Sequence, residues 1–592
     1  MCGIFGYVGR DGKAADIVLR GLQRLEYRGY DSWGIAVASE GDVAVDKRVG
    51  KIGEAVPALP GSRIGIGHTR WATHGGVTQR NAHPHLDCSG RLALIHNGIV
   101  SNYGELRDRL ERVGHRFHSE TDTEAVAHLV EECLAEIPAG PEQLLRATIA
   151  AFRRLRGLNA IALLDAERGH LAAAKSGSPL VLGWGEDGHF LASDQGALLA
   201  HTRRVTFVED GQAALVTGEG HRLFDVATGQ ELVPAVTELA GGTGMGDRAG
   251  HTDFMTKEIH EQPEVMRRLA RDGADAARHL AARIGAAHET FAIGCGTAGY
   301  AALSAQYLLA GIARRRVTAV AASEFGHLQQ FLDKSSLVLA FSQSGETIDV
   351  IEAARTAKSR GARVVAMVNV EGSTLWRLAD DAIPLGAGPE QCVLSTKSFI
   401  AKLALLVLAG HALAGRLAEG QVLVAAAADE VERMLVDDRR AQLGRIADAI
   451  QDRDHLFAIG RGPSYPLALE TALKVKEVSY MHAEGFAGGE LKHGVIALIE
   501  PGTPCLVLAP RDDTYDDVLA GAMQVRARGA WVIGVSPEPH EAFDEHVRVA
   551  HLGWASPIAS AIPAQLLGYD LARRRGHDPD KPRNLAKSVT VK

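Results

Sequence analysis

The chain has 592 residues, more than a single hydrophobic core accommodates, so we expect three or four domains. It is 46% hydrophobic and 23% charged, as globular proteins are, and its net charge of −8 argues against a nucleic-acid interface, which needs a basic face. The six cysteines include no CxxC pair, so we expect neither a disulfide framework nor a structural zinc site. This use of cysteine fits a reducing compartment, and we expect a cytoplasmic location.

No membrane association is expected either. The N-terminal sequence lacks the basic and apolar regions of a signal peptide. The most apolar stretch, Ile400–Gly415, is interrupted by Lys402 and His411 and is too short to span a bilayer. It predicts a buried helix.

The order of the predicted elements indicates where the domains begin and end. Short β-branched runs such as Gly34–Ala38 alternate with helical patterns such as Glu120–Leu134 up to about residue 235. A glycine-rich linker candidate follows at 240–247, and then apolar strands alternate with longer helices, which is typical of a parallel α/β sheet. We expect a first domain at 1–235, a linker and connecting helix at 236–280, doubly wound domains at 281–416 and 447–580, and a tail at 581–592.

The second part contains an internal duplication. Phe291-Ala-Ile-Gly recurs as Phe457-Ala-Ile-Gly, and Leu337-Val-Leu-Ala recurs as Leu506-Val-Leu-Ala. Arg360-Gly-Ala likewise recurs from Arg528, so that three matches keep nearly one offset. They predict two copies of one doubly wound domain, whose ligands bind at the carboxyl ends of the strands.

The copies differ after the repeated Leu-Val-Leu-Ala. The first continues into Ser342-Gln-Ser-Gly-Glu-Thr347, hydroxyls and a glycine at a strand-to-helix turn, which suits a phosphate. The ordinary alternative is a helix start capped by Ser or Thr. The second copy has Pro510-Arg-Asp-Asp-Thr514, whose acids would repel a phosphate. Because Ser395-Thr-Lys397 adds another hydroxyl-and-lysine turn, we expect the first copy alone to bind the anion.

The first domain begins with a candidate nucleophile. Removal of Met1 would leave Cys2 at the N-terminus, where its own α-amino group can act as the base for the thiol. Taken alone, Cys2 could also follow the initiator methionine by chance.

Further polar motifs of the first domain suit an acyl-transfer site. Arg70, within His68–His74, is a bidentate partner for a carboxylate, and His83 lies in a predicted turn. His96-Asn-Gly98 supplies an amide and an N–H for an oxyanion hole, and Asp122 can hold an ammonium group. Individually, histidines of this kind more often pack, and Asp122 has the alternative of capping a helix.

These motifs resemble, in order, the family of the glutamine–fructose-6-phosphate aminotransferases (isomerizing), also called glucosamine-6-phosphate synthases. The likeness includes Met1-Cys-Gly-Ile, Leu25–Asp31, His68–Gly75 and Glu120–Glu124. It continues through Lys257–Pro263, Cys295–Thr297, Leu473–Glu477, Glu490–Gly494 and Pro582–Val591, and so covers essentially the whole chain.

The resemblance implies a fold and a set of roles. The fold is an αββα N-terminal nucleophile hydrolase domain, which is a class II glutaminase, followed by two doubly wound sugar-isomerase domains. Cys2 would attack glutamine, Asn97 and Gly98 would stabilise the oxyanion, Lys587 would form an imine with the ketose, Glu477 would move a proton, and His493 would open the ring. Glutamine would be bound by Arg70, Trp71, Thr73, His74, His83 and Asp122, and the sugar phosphate by Thr297, Ser342, Gln343, Ser344, Thr347, Ser395 and Lys474.

The family's other properties are implied in the same way. Ammonia would pass through a channel gated by Trp71, the only partners would be the substrates and a second subunit, and no metal or cofactor would be needed. The homodimer would form through the isomerase domains, with His493 reaching the partner subunit's site. The product, glucosamine 6-phosphate, would begin amino-sugar biosynthesis.

Three departures from the family pattern keep alternatives open. Ala298 replaces a serine expected at the phosphate, Val495 replaces a proline, and Gly326-His327 replaces a basic run. A paralogue that aminates another keto-sugar phosphate is one alternative. A regulator that senses sugar phosphates is another, but it would have no use for Glu477, His493 and Lys587 together, nor for Cys2. Asparagine synthetase and phosphoribosylpyrophosphate amidotransferase lack support, because their diphosphate-binding loops are absent from the sequence.

Overall fold

A computed structural model describes residues 2–239 and 247–590, which form two compact units. One unit contains residues 2–239 together with 586–590, and the other contains 247–585. The predicted linker at 240–247 lies, except for Asp247, outside the described residues. In these residues no helix is long and apolar enough to cross a membrane.

The N-terminal unit is built from two antiparallel sheets and flanking helices. Its elements in chain order are β1 (Gly3–Gly9), α1 (Ala14–Leu25), β2 (Ser32–Ser39), β3 (Asp42–Val49), β4 (Ile64–Arg70), β5 (His85–Leu86), β6 (Leu92–Gly98), α2 (Tyr103–Arg112), α3 (Asp122–Glu136), α4 (Gln143–Phe152), β7 (Asn159–Asp165), β8 (His170–Ser176), β9 (Leu180–Trp184), β10 (Gly188–Ala192), α5 (Gln195–Leu198), β11 (Arg204–Val208), β12 (Gln212–Thr217), β13 (Gly220–Asp225), β14 (Glu231–Leu232) and β15 (Val236–Glu238).

The sheets and helices of this unit form four layers. One sheet has the order β15-β11-β9-β10-β1-β4-β2-β3 and the other β14-β13-β12-β8-β7-β6-β5. Alternation along the strands gives each sheet two apolar faces. Ile4 and Ile95 belong to the core between the sheets, Phe5 packs with Val18 of α1, and Val126 of α3 belongs to a third core. The αββα arrangement that the resemblance implied is confirmed.

The second unit alternates strands and helices. Its elements are α6 (Phe254–His260), α7 (Gln262–Asp272), α8 (Ala274–Ala286), β16 (Glu289–Gly294), α9 (Thr297–Ala313), β17 (Thr318–Ala321), β18 (Ser336–Ser342), α10 (Ile348–Ser359), β19 (Arg363–Val368), α11 (Thr374–Leu378), β20 (Asp381–Pro384), α12 (Lys397–Leu413), α13 (Leu417–Val436), α14 (Asp438–Ile450), β21 (His455–Gly460), α15 (Tyr465–Ser479), β22 (His482–Ala487), β23 (Pro504–Leu508), α16 (Tyr515–Arg526), β24 (Trp531–Ser536), β25 (Glu545–Arg548) and α17 (Ser556–Arg574).

The duplication predicted from the sequence is visible in the two parallel sheets. Their orders are β17-β16-β18-β19-β20 and β22-β21-β23-β24-β25, so both follow the pattern 2-1-3-4-5. The repeated Phe-Ala-Ile-Gly ends the first strand of each sheet, at Gly294 and Gly460. The predicted fold class of two doubly wound domains is confirmed, while their boundaries at 281–416 and 447–580 stay a prediction.

The helix α12 lies in the core that the two repeats share. It is the predicted buried apolar helix, and its polar residues find partners within it: the buried Lys402 ammonium donates to the Ser398 carbonyl at 3.3 Å. The buried His411 imidazole pairs with the Val407 carbonyl at 2.8 Å. These bonds offset the cost of burying polar groups.

Candidate active sites

Cys2 lies where the ends of three strands meet. It precedes β1, whose neighbour β4 ends at Arg70, and the Trp71 N–H donates to the Cys2 Sγ at 3.3 Å. From the facing sheet, the side-chain amide of Asn97 in β6 donates to the Cys2 carbonyl at 2.9 Å. The fold thus brings together residues that are far apart in the sequence.

The Cys2 thiol is protonated near neutral pH. Burial raises its pKa, while the Trp71 N–H and the Arg70 guanidinium act in the opposite direction. Since the thiolate is the reactive form, the thiol needs a base before it can attack a carbonyl.

The oxyanion-hole candidates are held by a buried histidine. The His68 Nε2 lies 3.0 Å from both the Asn97 Oδ1 and the His96 carbonyl, and because both accept hydrogen, we assign the proton to Nε2. Burial lowers the pKa of His68 to about 3, so the ring is neutral. With its oxygen facing His68, the Asn97 amide must direct its N–H₂ towards Cys2.

Gly98, next to Asn97, cannot be replaced without strain. Its φ is +139°, and a Cβ there would lie 2.3 Å from the Leu158 carbonyl oxygen. Only glycine adopts this conformation readily.

The candidate charge-binding residues are buried and already hold protein groups. The Arg70 guanidinium donates to the carbonyls of Gly75 and Gly76 at 3.0 and 3.1 Å. Burial lowers its pKa, while Cys2, Asp31 and Asp122 act in the opposite direction. The Asp122 carboxylate, at the start of α3, accepts the Val100 N–H at 2.8 Å.

One pocket contains these side chains. All six residues predicted to bind glutamine line it, together with Cys2 and Gly98. Three further residues line it that the sequence reasoning did not select for binding, namely His96, Thr121 and Thr123. Of these, His96 could have been selected from the sequence, because it begins the His-Asn-Gly motif that supplied Asn97 and Gly98.

Two of the predicted histidines have different surroundings. The His74 ring packs edge-on against Tyr103, with 4.3 Å between ring centroids. The His83 Nδ1 lies 3.2 Å from the His68 Nε2, and burial keeps the pKa of His83 well below its usual range.

In the second unit, the hydroxyl-rich turn joins β18 to α10, as predicted. The Ser342 hydroxyl accepts the Gly345 N–H at 2.9 Å and lies 3.5 Å from the Thr347 hydroxyl. The Ser344 hydroxyl accepts the Glu346 N–H at 3.1 Å. Gly345 has φ +69°, and a Cβ there would lie 2.0 Å from the Ser373 Oγ, so the turn requires glycine.

Ser395 belongs to a network centred on a carboxylate. The Glu390 side chain accepts the N–H groups of Thr396 and Ser398 at 3.0 and 3.1 Å, at the start of α12. The Ser395 hydroxyl lies 3.5 Å from the same carboxylate, and Lys397 forms an ion pair with Glu261. This helix N-terminus therefore has an anion supplied by the protein itself.

A charged row along α15 is the other prominent feature of this unit. The fully buried Lys474 forms ion pairs with Glu477 and, at 3.5 Å, with Glu470, whose carboxylate accepts the Thr297 hydroxyl at 3.2 Å. Burial raises the pKa of Glu470 to about 7. Burial lowers the pKa of Lys474, but the two carboxylates outweigh it and raise that pKa.

Glu470 was missed by the sequence reasoning. Its spacing offered a signal, because Glu470, Lys474 and Glu477 lie at i, i+4 and i+7, on one face of a helix. The hydrogen bond from Thr297 joins the first repeat to the second at this place.

Two predicted catalytic residues belong to other segments of the chain. His493 is exposed in the 3₁₀ turn Glu490–His493, and within the described part of the chain its ring makes no hydrogen bond. Lys587 belongs to the N-terminal unit, where its backbone N–H approaches the Tyr27 carbonyl at 3.5 Å and its side chain is half-buried.

The three departures from the family pattern lie at a helix start, in an exposed 3₁₀ segment and beside an apolar cluster. Ala298 is the second residue of α9, Gly326 and His327 are exposed in the 3₁₀ segment Ala322–Phe331, and Val495 packs at the edge of an apolar cluster. None of the three contributes a side chain to the Glu470–Glu477 row.

Comparisons with known proteins identify the domains of both units. A glutamine amidotransferase domain model matches residues 68–200, and a SIS domain model matches 284–412 and 449–573. The C-terminal domain of glucosamine-fructose-6-phosphate aminotransferase from Francisella tularensis superposes with a TM-score of 0.52 at 29% identity, covering 57% of this chain and 100% of that one. The fold and the matching domain models therefore define a glutamine amidotransferase joined to a duplicated SIS domain.

Full-length relatives narrow this class. The chain is 43% identical to the glutamine–fructose-6-phosphate aminotransferase (isomerizing) of Symbiobacterium thermophilum and 41% identical to that of Pyrococcus horikoshii, each over 100% of both chains. The Thermus thermophilus enzyme of the same name is 43% identical, again over both full lengths. The chain belongs to the glutamine–fructose-6-phosphate aminotransferase (isomerizing) family.

Proposed function

We propose that the protein hydrolyses glutamine at Cys2 and uses the ammonia to convert fructose 6-phosphate into glucosamine 6-phosphate. The observation that carries this proposal is the 43% identity, over the full length of both chains, to a glutamine–fructose-6-phosphate aminotransferase (isomerizing). The chain also has both a pocket lined by Cys2 and a hydroxyl-rich turn.

In the glutaminase half, removal of Met1 frees the α-amino group of Cys2, which takes the thiol proton. The thiolate attacks the glutamine amide, and Asn97 and the Gly98 N–H stabilise the oxyanion. Arg70 binds the substrate carboxylate and Asp122 its ammonium group. The low pKa of His68 supports this choice of base, because its ring already holds Asn97 through Nε2.

In the isomerase half, Thr297 and the turn at Ser342, Gln343, Ser344 and Thr347 bind the sugar phosphate, with Ser395 nearby. His493 opens the ring, and Lys587 forms an imine at the ketose C2 with loss of water. Ammonia then adds to C2 and displaces the Lys587 amine, which leaves the imine of ammonia at C2. Glu477 then carries a proton from C1 to C2, a step that the imine assists by acidifying the C1–H bond. Lys474 holds Glu477 in position.

In this proposal an ammonia channel gated by Trp71 links the two halves. The protein works as a homodimer in the cytoplasm. The exposure of His493 supports the dimer, because a catalytic histidine needs surroundings that a second subunit can provide. Mixing His493→Ala with Glu477→Ala protein should then restore activity that neither variant has. If the mixture stays inactive and light scattering gives the mass of a single subunit, the dimer is contradicted.

The activity is tested directly with labelled substrate. Pure protein is incubated with fructose 6-phosphate and glutamine carrying ¹⁵N in its amide, and the product is identified by mass. We expect glucosamine 6-phosphate that contains the label. Unlabelled product, or amination of a different keto-sugar phosphate only, would contradict the proposal.

The nucleophile and its base are tested separately. Cys2→Ala should abolish glutamine hydrolysis and leave isomerisation of the sugar phosphate intact. An uncleavable N-terminal tag should have the same effect by blocking the α-amino group. A tagged protein with normal hydrolysis would point to a side chain such as His74 as the base.

A further inference from the structure

Four metal-binding side chains converge on one point of the N-terminal unit, outside the glutamine pocket. Cys88 follows β5, His115 follows α2, and His128 and Glu131 lie one turn apart on α3. One donor atom from each lies within 4.8 Å of all the others. In sequence they are separated by 26, 12 and 2 residues, which is why a search for CxxC pairs did not find them.

Four of the six distances between the donor atoms are close to those of a tetrahedron around zinc, and the other two are within 4.8 Å. The Cys88 Sγ lies 3.5 Å from the Nδ1 of both histidines, and the Glu131 Oε2 lies 3.1 Å from His115 Nδ1 and 3.3 Å from His128 Nδ1. Zinc bonds of about 2.3 Å to sulfur and 2.0–2.2 Å to nitrogen or oxygen place neighbouring ligands about 3.3–3.6 Å apart. Little movement is needed to close such a site.

The choice of residues also favours zinc. Thiolate with imidazole is a typical zinc donor set, whereas magnesium and calcium prefer oxygen ligands. We propose that Cys88, His115, His128 and Glu131 bind one Zn²⁺ ion through Sγ, the two Nδ1 atoms and Oε2. With four protein ligands the site is closed, as structural zinc sites are.

The surroundings of His128 fit this role. Its other ring nitrogen, Nε2, faces the Glu124 carboxylate at 3.8 Å, and Glu124 accepts the backbone N–H groups of His118 and Ser119 at 2.7 and 2.6 Å. A carboxylate behind a ligating histidine orients the ring. The metal would therefore join three segments at the middle of α3, the helix that begins with Asp122 of the glutamine pocket.

Zinc content and cobalt spectroscopy test this proposal on the full-length protein. After dialysis against metal-free buffer, we expect one zinc ion per chain to remain and its removal by a chelator to lower the melting temperature. Replacement by Co²⁺ should give the thiolate-to-cobalt charge-transfer band. Cys88→Ser and, independently, His115→Ala should weaken zinc binding at least about tenfold and lose the response of the melting temperature.

Cys2→Ser is the matched control, because Cys2 is a partly buried thiol of the same unit that lines the glutamine pocket and lies outside the four-residue cluster. It should keep the zinc and the cobalt band. Two results would overturn the site: a cobalt band lost with Cys2→Ser but kept with Cys88→Ser, or no retained zinc in wild-type protein. In the second case the four residues form a hydrogen-bonded cluster only. Circular dichroism of each variant separates loss of the metal from loss of the fold.

Discussion

The two repeats of the second unit have the same strand order but different chemistry at the same turn. In the first, the Ser342 hydroxyl accepts the Gly345 N–H before α10, and the one acidic residue of the turn, Glu346, accepts the Thr374 N–H at 2.8 Å. In the second, the Asp512 carboxylate accepts the N–H and hydroxyl of Thr514 at 2.9 and 2.7 Å before α16. The second turn therefore has a carboxylate that bonds within the turn, whereas the first turn has a hydroxyl in that role.

The helices that follow the first strand of each sheet also differ in charge. The first repeat's α9 contains no charged residue, whereas α15 carries Glu470, Lys474 and Glu477 on one face. In the proposed function, the first copy binds the phosphate and the second supplies the proton carrier Glu477, so that synthesis would need both repeats.

The largest effect is expected from a residue that lies in neither repeat. Lys587→Ala should abolish synthesis of glucosamine 6-phosphate, because no imine can form, while glutamine hydrolysis persists. In wild-type protein, borohydride with fructose 6-phosphate should leave a sugar adduct on Lys587, detected by peptide mapping. Lys581→Ala, in the same tail, is the control. An adduct on Lys474 or Lys397 would show that the imine forms on a lysine of the repeats and that the assignment to Lys587 is wrong.

The second repeat is tested by Glu477→Gln. Loss of the proton carrier should lower kcat for synthesis by about 10²–10⁴-fold, with little change in KM for fructose 6-phosphate. Lys476→Met, on the same helix but exposed, is the matched control. A kcat within a factor of two of wild type would show that the charged row is structural.

The first repeat is tested by Ser344→Ala and Thr347→Ala. Loss of one hydrogen bond to a charged group costs about 1.5–3 kcal/mol, so KM for fructose 6-phosphate should rise tenfold to a hundredfold. Asp513→Ala and Asp512→Ala, at the corresponding turn of the second repeat, should change KM little. Equal sensitivity of the two turns in steady-state assays would contradict the division of roles.

The smallest effect concerns Glu470, where the repeats meet. Because its pKa is raised to about 7, the folded state holds a proton that the unfolded state has released above about 4.5. The free energy of unfolding should therefore fall as the pH rises from about 4.5 to 7. Glu470→Gln should flatten this part of the profile in denaturant titrations at several pH values. An unchanged slope would mean that Glu470 is ionised throughout.

Most of the fold followed from sequence because its signals are local. Repeated Phe-Ala-Ile-Gly at Gly294 and Gly460 marks equivalent strands, and the polar interruptions at Lys402 and His411 correctly indicated a buried helix rather than a membrane span. The pocket residues were found because family motifs name them.

What sequence reasoning missed depends on contacts between distant segments. The pairing of His68 with Asn97, the Glu390 carboxylate at the start of α12, and the convergence of Cys88 with His128 require three-dimensional positions that no local pattern encodes. Glu470 is different, since helical spacing alone was sufficient to select it.

The C-terminal segment has a consequence for how the protein is made. Residues 586–590 belong to the N-terminal unit, where Lys587 approaches Tyr27 and the Thr590 hydroxyl lies 3.5 Å from that of Ser178. During translation these partners are separated by the whole of 247–585, which a ribosome adds over roughly 20–70 s. The unit that emerges first from the ribosome is thus the one that is completed last.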